Sequence, residues 1–313
     1  MTDRPIAMPE PFPDPGDGRT RHYGEFYGLD GFGSPGDDRP VLVVLGNCQA
    51  EATRILLDGP VRGVRIPAVH EFEPRDVPFL RALLSRTDVL VTQPIVDDYR
   101  GLPVGTAQAA AMLPARARVV RIPVLRFAGL YPCQVTVRAA AGDPPGVPYH
   151  DLRTLLRAHD GRERAFPRDP DVLRAVAARS VAELRRRESA HGTVVVSDLL
   201  EAPRLEDFHT VNHPGNRVLT AQAERVRAAL GIPEPVGDPG MVLLRSVFTP
   251  VEHHVLAALG APGEPRSAWL VEGDPVADER IVEEQLRWYA AHPEVVAAGL
   301  DRHADTIALL GLA

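Results

Sequence analysis

The most constraining feature of the sequence is an alternation of short apolar runs with helical segments between residues 40 and 124. Residues 41–45 are five consecutive apolar residues followed by Gly46, a pattern typical of a strand buried on both faces. Strand-like runs recur at 64–67, 88–92 and 118–124, and helical patterns lie at 49–57, 78–85 and 106–113. This order predicts an α/β fold with a parallel, doubly wound sheet flanked by helices.

The remaining sequence predicts three regions. Residues 1–39 are rich in Pro, Gly and Asp and predict an extended or partly disordered arm, in which the aromatic tract 23–32 packs onto the body. Residues 40–245 form the α/β catalytic domain, with a long exposed helix at 172–189, a buried strand at 193–197 and a helix at 219–230. Residues 246–313 predict a helical C-terminal extension packed on that domain, with helices at 251–259, 278–291 and 293–310.

Composition excludes several classes of function. The formal net charge is -7, so the chain lacks the basic character of a nucleic-acid binder, and no stretch is long and apolar enough to insert into a membrane. All basic residues are arginine, which excludes Schiff-base and P-loop lysine chemistry and fits a GC-rich bacterial genome. The sequence leaves open whether the protein forms a homo-oligomer.

Cysteine usage predicts the cellular compartment. Two cysteines, Cys48 and Cys133, make a poor disulfide framework for 313 residues, and no Cys and His cluster has the spacing of a metal site. The N-terminus lacks the features of a signal peptide. We therefore expect a cytoplasmic bacterial protein, in which Cys133 has a packing role.

Cys48 is the leading candidate for chemistry, because it lies in a predicted strand-to-helix turn at the carboxyl end of the first strand. The helix N-terminus would favour the thiolate, and backbone N–H groups of the turn could stabilise an oxyanion. Gly46 allows close backbone approach, and Asn47 and Gln49 bring side-chain amides to the same place. The alternative is a small cysteine buried in the core.

Candidate binding residues follow the later strands. Gln93 either donates its amide N–H to an oxyanion or holds a turn. Tyr99 and Arg100 are candidates to bind a sugar or phosphate group. Arg121 and Arg126 flank the end of the predicted fourth strand, where they either hold a phosphate or form salt bridges.

The histidines that are candidates for a catalytic base lie between residues 207 and 216. His213 precedes Pro214, which holds its backbone extended and suits a base that serves Cys48. His209 is the rival candidate, and both are otherwise ordinary loop histidines. Asp207 or Glu206 would orient the base, and the sequence does not choose between them. The stretch 149–151 forms either an acid–base pair or a helix N-terminal cap.

Several short sequence motifs together resemble the WcbI-type polysaccharide biosynthesis family over roughly residues 40–230. They are Gly46-Asn47-Cys48-Gln49, the segment 91–95 with Tyr99 and Arg100, and the segment 122–124 with Phe127, Gly129 and residues 131–132. The resemblance implies binding of coenzyme A or acetyl-CoA as a substrate, and an acetyltransferase role on a sugar-type acceptor in capsular polysaccharide assembly.

The arrangement also resembles a cysteine version of the SGNH-hydrolase plan. By that analogy Cys48 is the nucleophile, Gln93 an oxyanion group and His213 the base. The sequence departs from the plan at Thr210, where an Asp would stand three residues before the histidine.

Three classes of function follow from these residues. In the first, a CoA-dependent acyltransferase acts on a sugar hydroxyl, with the cofactor held by Gly46, Gln49, Tyr99, Arg100, Arg121 and Arg126. In the second, a cysteine hydrolase or thioesterase uses water as the acceptor. In the third, a non-catalytic protein binds CoA or a nucleotide. The sequence does not separate them.

Overall fold

The alternation of apolar runs and helical segments builds a four-stranded parallel sheet in the computed structural model of the protein, which describes residues 14, 16–29 and 37–313. The described residues form two units. The first contains those up to Val124 together with Arg187–Val195 and Leu219–Met241, and the second contains Leu125–Arg186, Val196–Val218 and Val242–Ala313. The division of the chain at residues 40 and 246 stays a prediction.

The first unit contains the predicted sheet. Its strands follow the order β2-β1-β3-β4, and each neighbouring pair is parallel. The elements are α1 (Gly18–His22), β1 (Val41–Leu45), α2 (Gln49–Leu57), β2 (Arg62–Val64), α3 (Val77–Leu84), β3 (Val89–Thr92), α4 (Thr106–Ala111) and β4 (Arg118–Arg121).

The strand order explains where a site can form. The chain passes from β1 to β2 on one side and then returns to β3 on the other side of β1. Right-handed crossovers therefore place α2 on one face of the sheet and α3 and α4 on the opposite face, as the doubly wound prediction requires. The order reverses at β1 and β3, and ligands bind at such a switch point, outside the carboxyl ends of the strands.

The apolar runs form the core of this unit. Val43, Leu45 and Leu90 of the strands are fully buried against Leu83 of α3 and Val104. Each side chain of this kind contributes roughly 1.5–3 kcal/mol of burial free energy.

Two strand predictions needed correction at their ends. The strand predicted at 64–67 lies at Arg62–Val64, and the strand predicted at 118–124 ends at Arg121. In both cases a proline, Pro67 or Pro123, lies just beyond the true end, and proline has no N–H to donate to a ladder.

The described part of the N-terminal arm packs within the first unit. Phe26 and Tyr27 are buried, as the aromatic tract predicted. The Tyr27 hydroxyl donates to the buried Asp76 carboxylate at 2.7 Å, and Arg19 pairs with the same carboxylate at 2.8 Å. Predictions for residues 1–13, 15 and 30–36 lie outside the described residues.

The second unit combines helices with short antiparallel ladders. Two of its helices continue into the first unit, one from Arg187 on and the other from Leu219 on. Its elements are β5 (Gln134–Val135), β6 (His150–Asp151), α5 (Leu152–Asp160), α6 (Pro170–His191), β7 (Phe208–Thr210), β8 (His213–Pro214), α7 (Asn216–Leu230), β9 (Val247–Phe248), α8 (His253–Leu259), β10 (Ala268–Val271), β11 (Asp274–Ala277), α9 (Asp278–Ala291), α10 (Pro293–Arg302) and α11 (Ala304–Leu309).

The C-terminal region contains the predicted helices and a hairpin that the sequence did not predict. Strands β10 and β11 pair antiparallel through the two-residue turn Glu272-Gly273, and both turn residues have positive φ. Such a turn matches the twist of a hairpin, which favours glycine at one of its positions. The helix predicted at 293–310 is divided at His303 into α10 and α11.

The buried strand predicted at 193–197 was wrong. Val195 is 53% exposed, and a 3-10 helix begins at Ser197. Val194 donates one backbone hydrogen bond to the Arg121 carbonyl at 2.9 Å, but the Arg225 guanidinium takes the Val195 carbonyl. A side chain therefore occupies an acceptor that a neighbouring strand would need.

Candidate functional site

Cys48 lies at the switch point of the sheet, after the last residue of β1 and directly before α2. It is the N-cap residue of that helix, and its side chain is half-buried. The strand-to-helix turn predicted for residues 46–49 is therefore confirmed, and its carboxyl-end position is where open parallel sheets bind ligands.

Three side-chain amides hold this turn. Gln93, which follows β3, accepts a hydrogen bond from the Asn47 backbone N–H at 2.9 Å and donates from Nε2 to Gln49 Oε1 at 3.1 Å. Asn47 Oδ1 accepts from the Gln49 backbone N–H at 2.9 Å. Gln49 and Gln93 are almost fully buried. Of the two roles that the sequence left open for Gln93, these contacts support the holding of a turn.

Gly46 is required by the close approach of Gln93. A Cβ atom at this position would lie 2.7 Å from Gln93 Oε1 and 2.9 Å from its Cδ, closer than real Cβ contacts allow. The backbone of Gly46 also accepts a hydrogen bond from Val69 at 2.7 Å. Any larger residue would displace the Gln93 side chain, whose Oε1 accepts from the Asn47 backbone N–H.

Burial raises the pKa of the Cys48 thiol, and the nearby Glu71 carboxylate raises it further, although the backbone N–H groups of Cys48 and Gln49 act in the opposite direction. The helix N-terminus therefore favours the thiolate as expected, but burial outweighs its effect and the net pKa is raised. The reason is that loss of solvation disfavours the charged sulfur more than the turn stabilises it. At neutral pH the side chain is a protonated thiol.

The segment Val69–Glu71, a 3-10 helix, links Cys48 to the predicted cofactor residues. Its Val69 bonds to Gly46, as above, and the carbonyl of His70 accepts a hydrogen bond from the Arg100 guanidinium at 2.6 Å. Sequence reasoning missed this segment. The signal was its place after β2, because all carboxyl ends of parallel strands meet at one edge of a sheet.

The loop that carries Tyr99 and Arg100 has a strained backbone. Asp98 and Arg100 both adopt left-handed conformations, with φ of 53° and 56°. Gln108 of α4 holds the loop, since its Oε1 accepts from the Asp98 N–H at 3.0 Å and its Nε2 donates to Asp98 Oδ1 at 2.7 Å. Strain of this kind costs about 1–3 kcal/mol per residue and is concentrated at ligand-binding loops.

Arg121 and Arg126 do not share a strand end, which corrects the sequence prediction. Arg121 is the exposed last residue of β4 in the first unit. Arg126 is half-buried in the second unit, where its charge helps to lower the pKa of His303. Arg121 thus stays a candidate for an anion at the carboxyl edge of the sheet, whereas Arg126 has different surroundings.

His213 lies in the second unit on the short strand β8, whose extended backbone confirms the effect expected of Pro214. Its backbone N–H donates to the Thr210 hydroxyl at 3.1 Å, and its ring meets the Tyr149 ring edge-on with 6.0 Å between the ring centroids. Burial lowers the pKa of His213 to about 4, so the imidazole is neutral at neutral pH and can accept a proton.

The rival His209 is more deeply buried. Its ring lies 4.3 Å from that of Phe248, and burial lowers its pKa also to about 4. The two candidate acids are engaged elsewhere: Asp207 is fully buried and pairs with Arg217, and Glu206 is exposed, 3.6 Å from Arg204. Neither contact supports the predicted role of orienting His213.

Other predicted features have simpler outcomes. Cys133 is buried, and burial raises its pKa well above the usual range, so the packing interpretation is confirmed. Asp151 accepts hydrogen bonds from the first backbone N–H groups of α5, which makes it the helix cap of the two alternatives. Among the residues that the structure describes, no cluster of His, Cys, Asp and Glu could hold a metal ion, and no helix could cross a membrane.

A family model matches most of the chain and tests the resemblance noted in the sequence. The model of the polysaccharide biosynthesis enzyme WcbI matches residues 41–235. The chain belongs to the WcbI family. The match includes the Cys48 turn, Gln93, Arg100, Arg121 and His213.

A solved structure of WcbI, described as a novel polysaccharide biosynthesis enzyme, has the same fold. It is 18% identical in sequence, with a TM-score of 0.74, and the alignment covers 88% of this chain and 98% of that one. That protein is described as native, without a disulfide bond between coenzyme A and one of its cysteines. No curated protein matches the chain.

Proposed function

We propose that this WcbI-family protein is a CoA-dependent acyltransferase that modifies a hydroxyl of a sugar or polysaccharide precursor. The observation that carries the proposal is the half-buried Cys48 thiol in a turn locked by three amides at the switch point of the sheet. Support comes from the WcbI structure, whose description names coenzyme A and a cysteine as partners of a disulfide that is absent there.

The residues of the first unit fit coenzyme A in chemistry. Cys48 and the amides of its turn are compatible with the thiol end of the cofactor, which is uncharged. Arg100 is exposed, and its hydrogen bond to the His70 carbonyl fixes its guanidinium beside the Val69–Glu71 segment. Arg121 adds a second exposed guanidinium at the carboxyl edge of the sheet. Guanidinium groups are well suited to the phosphates of such a ligand. When bound, acyl-CoA supplies the acyl group as a thioester.

The raised pKa of Cys48 favours direct transfer over an acyl-enzyme. In direct transfer the acceptor hydroxyl oxygen attacks the thioester carbonyl, a carbon–oxygen bond forms, and the carbon–sulfur bond breaks. The departing CoA sulfur takes up the proton that the hydroxyl loses, by way of a base. His213 is our candidate for that base, because its low pKa keeps it unprotonated at neutral pH.

The test of this mechanism is turnover of acetyl-CoA with and without a sugar acceptor. We expect acylated sugar and free CoA in equal amounts, with slow release of CoA when the acceptor is omitted. Fast CoA release without an acceptor would identify a thioesterase instead. Binding of CoA without release under either condition would identify a non-catalytic binding protein.

Substitution of Cys48 by serine separates the two chemical routes. Direct transfer predicts that Cys48→Ser retains turnover within about tenfold, because the hydroxyl preserves the size and polarity of the turn. An acyl-enzyme route predicts a loss of several orders of magnitude and an acyl group on Cys48 in the wild-type protein, which intact-mass spectrometry would detect.

Calorimetric titration with CoA tests the cofactor itself. We expect micromolar binding, weakened about tenfold by Arg100→Ala as one phosphate contact is lost. Arg116→Ala is the matched control, since Arg116 is an exposed arginine that precedes β4 at the opposite edge of the sheet and pairs with Asp88 at 3.2 Å. Equal affinities of the two variants would remove Arg100 from the site.

A further inference from the structure

The second unit contains a pocket that the proposed chemistry does not use. Its walls come from segments far apart in the sequence and combine aromatic rings with ionisable groups, among them Tyr131, His150, Asp151, Arg153, Trp269 and Asp278.

The charge of the cavity excludes a phosphate-rich ligand. Asp151, Asp278 and Glu252 line it, against the single guanidinium of Arg153. That guanidinium is already paired with Asp151 at 2.9 Å. Burial raises the pKa of Asp278, whose carboxylate accepts a hydrogen bond from the Trp269 indole N–H at 2.7 Å. An anion would meet a net negative wall, whereas a neutral or cationic ligand would not.

His150 provides a buried polar atom that has no hydrogen-bond partner in the part of the chain that the structure describes. The residue is 1% exposed, and its Nδ1 lies 2.6 Å from the Tyr289 hydroxyl. The structure gives the other ring nitrogen, Nε2, no hydrogen-bond partner among the described residues. Buried polar atoms are nearly always satisfied, so this atom points to a ligand or an ordered water. A hydroxyl group can satisfy it in either tautomer, as donor or as acceptor.

The aromatic side chains supply the remaining chemistry. Tyr131, Phe166 and Trp269 present apolar surface to the cavity, and the Arg153 guanidinium stacks over the Phe166 ring at 4.9 Å. A pyranose ring has apolar C–H faces and a hydroxyl-bearing edge, so it matches aromatic walls beside carboxylate and imidazole groups.

We propose that this cavity binds an unphosphorylated pyranose unit and, resting on the proposed acyl transfer, that this unit belongs to the sugar acceptor. His150 Nε2 bonds to one ring hydroxyl, the carboxylate of Asp278 accepts from another, and Trp269 covers an apolar face. The charge balance also favours a pyranose that carries an amino group over one that carries a phosphate.

The chain offers a direct reporter for this site. It has two tryptophans, and Trp288 is not among the residues that line the cavity. In the full chain with Trp288→Phe, Trp269 is the sole fluorophore of its kind. We expect its emission to change saturably on titration with methyl glycosides of glucose, galactose, mannose and glucosamine, with at least one of them bound. The same titration with glucose 1-phosphate should show weaker binding.

Two variants test the named contacts in that background. His150→Phe removes Nε2 and should weaken sugar binding about tenfold, whereas His159→Phe changes an exposed histidine of α5 and should leave it unchanged. If His150→Phe fails to fold, Asp278→Asn is the second variant, because it preserves the shape of the side chain and the hydrogen bond from Trp269. It should reduce the preference for the amino sugar over its neutral counterpart.

The outcomes distinguish this inference from the proposed function. If no glycoside changes Trp269 emission while the protein still transfers acetyl groups, the cavity is not the acceptor site and the acyltransferase proposal stands. If glycosides bind but CoA does not, the acyltransferase proposal fails and the cavity remains a sugar site. Equal binding by the His150→Phe and His159→Phe variants would overturn the placement of the sugar.

Discussion

The turn around Cys48 and the cavity around His150 are both polar, buried sites, but they are built in opposite ways. In the turn, Asn47, Gln49 and Gln93 bond to one another. In the cavity, His150 has one ring nitrogen without a partner among the described residues. The first arrangement fixes a geometry before any ligand arrives, and the second leaves a polar atom for a ligand to satisfy.

The largest expected contrast is the reactivity of the two cysteines, one in each region. Cys48 is half-buried in its turn, whereas Cys133 lines the cavity and is 2% exposed. We expect iodoacetamide to label Cys48 at least about a hundredfold faster than Cys133, since alkylation requires an accessible thiolate. Peptide mass spectrometry after timed quenching measures both rates, and labelling in urea is the control. Equal rates in the folded protein would contradict the comparison.

The next effect is on the rigidity of the turn. Gly46→Ala places a methyl group against Gln93, so we expect the free energy of unfolding to fall by about 2–3 kcal/mol and CoA binding to be lost. Gly237→Ala is the control, because a Cβ atom there meets nothing within 4 Å. Chemical denaturation and calorimetry give both quantities. A fully stable Gly46→Ala variant would show that the turn is not locked.

The histidines of the second unit predict a dependence of stability on pH. Burial lowers the pKa of His150, His209 and His213 to about 4, from an ordinary value of 6.5. The unfolded chain therefore binds more protons than the folded one as pH falls between these values. Stability should be intact above pH 6.5 and decrease towards pH 4, by up to about 1.4 kcal/mol per pH unit for each histidine.

Urea denaturation followed at several pH values in this window measures that slope. His150→Phe should remove part of it, since one of the buried imidazoles is then absent. A slope of zero between neutral pH and mildly acid pH would mean that these imidazoles are not buried in their neutral form.

The smallest expected effect tests one amide of the turn. Gln93→Glu retains an oxygen that accepts from Asn47 but removes the Nε2 donor to Gln49. We expect a loss of about 1–2 kcal/mol in the free energy of unfolding. The loss should grow as pH rises, because burial raises the pKa of the new carboxyl and disfavours its charged form. Thermal denaturation at two pH values checks this, and pH-independent behaviour would place residue 93 in contact with water.

The contrast between the Cys48 turn and the His150 cavity also separates what the sequence could predict from what it could not. Residues 41–45 and 49–57 were predicted at their observed ends, because five apolar residues, a glycine and a helical pattern are local signals. The position of the Cys48 turn follows from them. The raised pKa of the Cys48 thiol does not follow from these local signals, because it depends on how much neighbouring chain covers the sulfur.

The cavity could not be predicted, because its contacts join residues distant in sequence. His150 meets Tyr289 across 139 positions, and Gln134 donates to the Thr249 hydroxyl across 115. The stretch 149–151 gave only the local choice between an acid–base pair and a helix cap, and the cap is what Asp151 forms. The hairpin of β10 and β11 was not predicted, although its Glu272-Gly273 turn is a local sequence signal.

The most direct test of the central claim is the alkylation rate of Cys48 in the presence of acetyl-CoA, which carries no thiol of its own. If the turn receives the thioester end of the cofactor, labelling of Cys48 should slow saturably, with a micromolar half-effect, while Cys133 in the same sample stays unlabelled. An unchanged rate for Cys48 up to about 1 mM acetyl-CoA would contradict the account, since a bound cofactor at this turn has to cover the thiol.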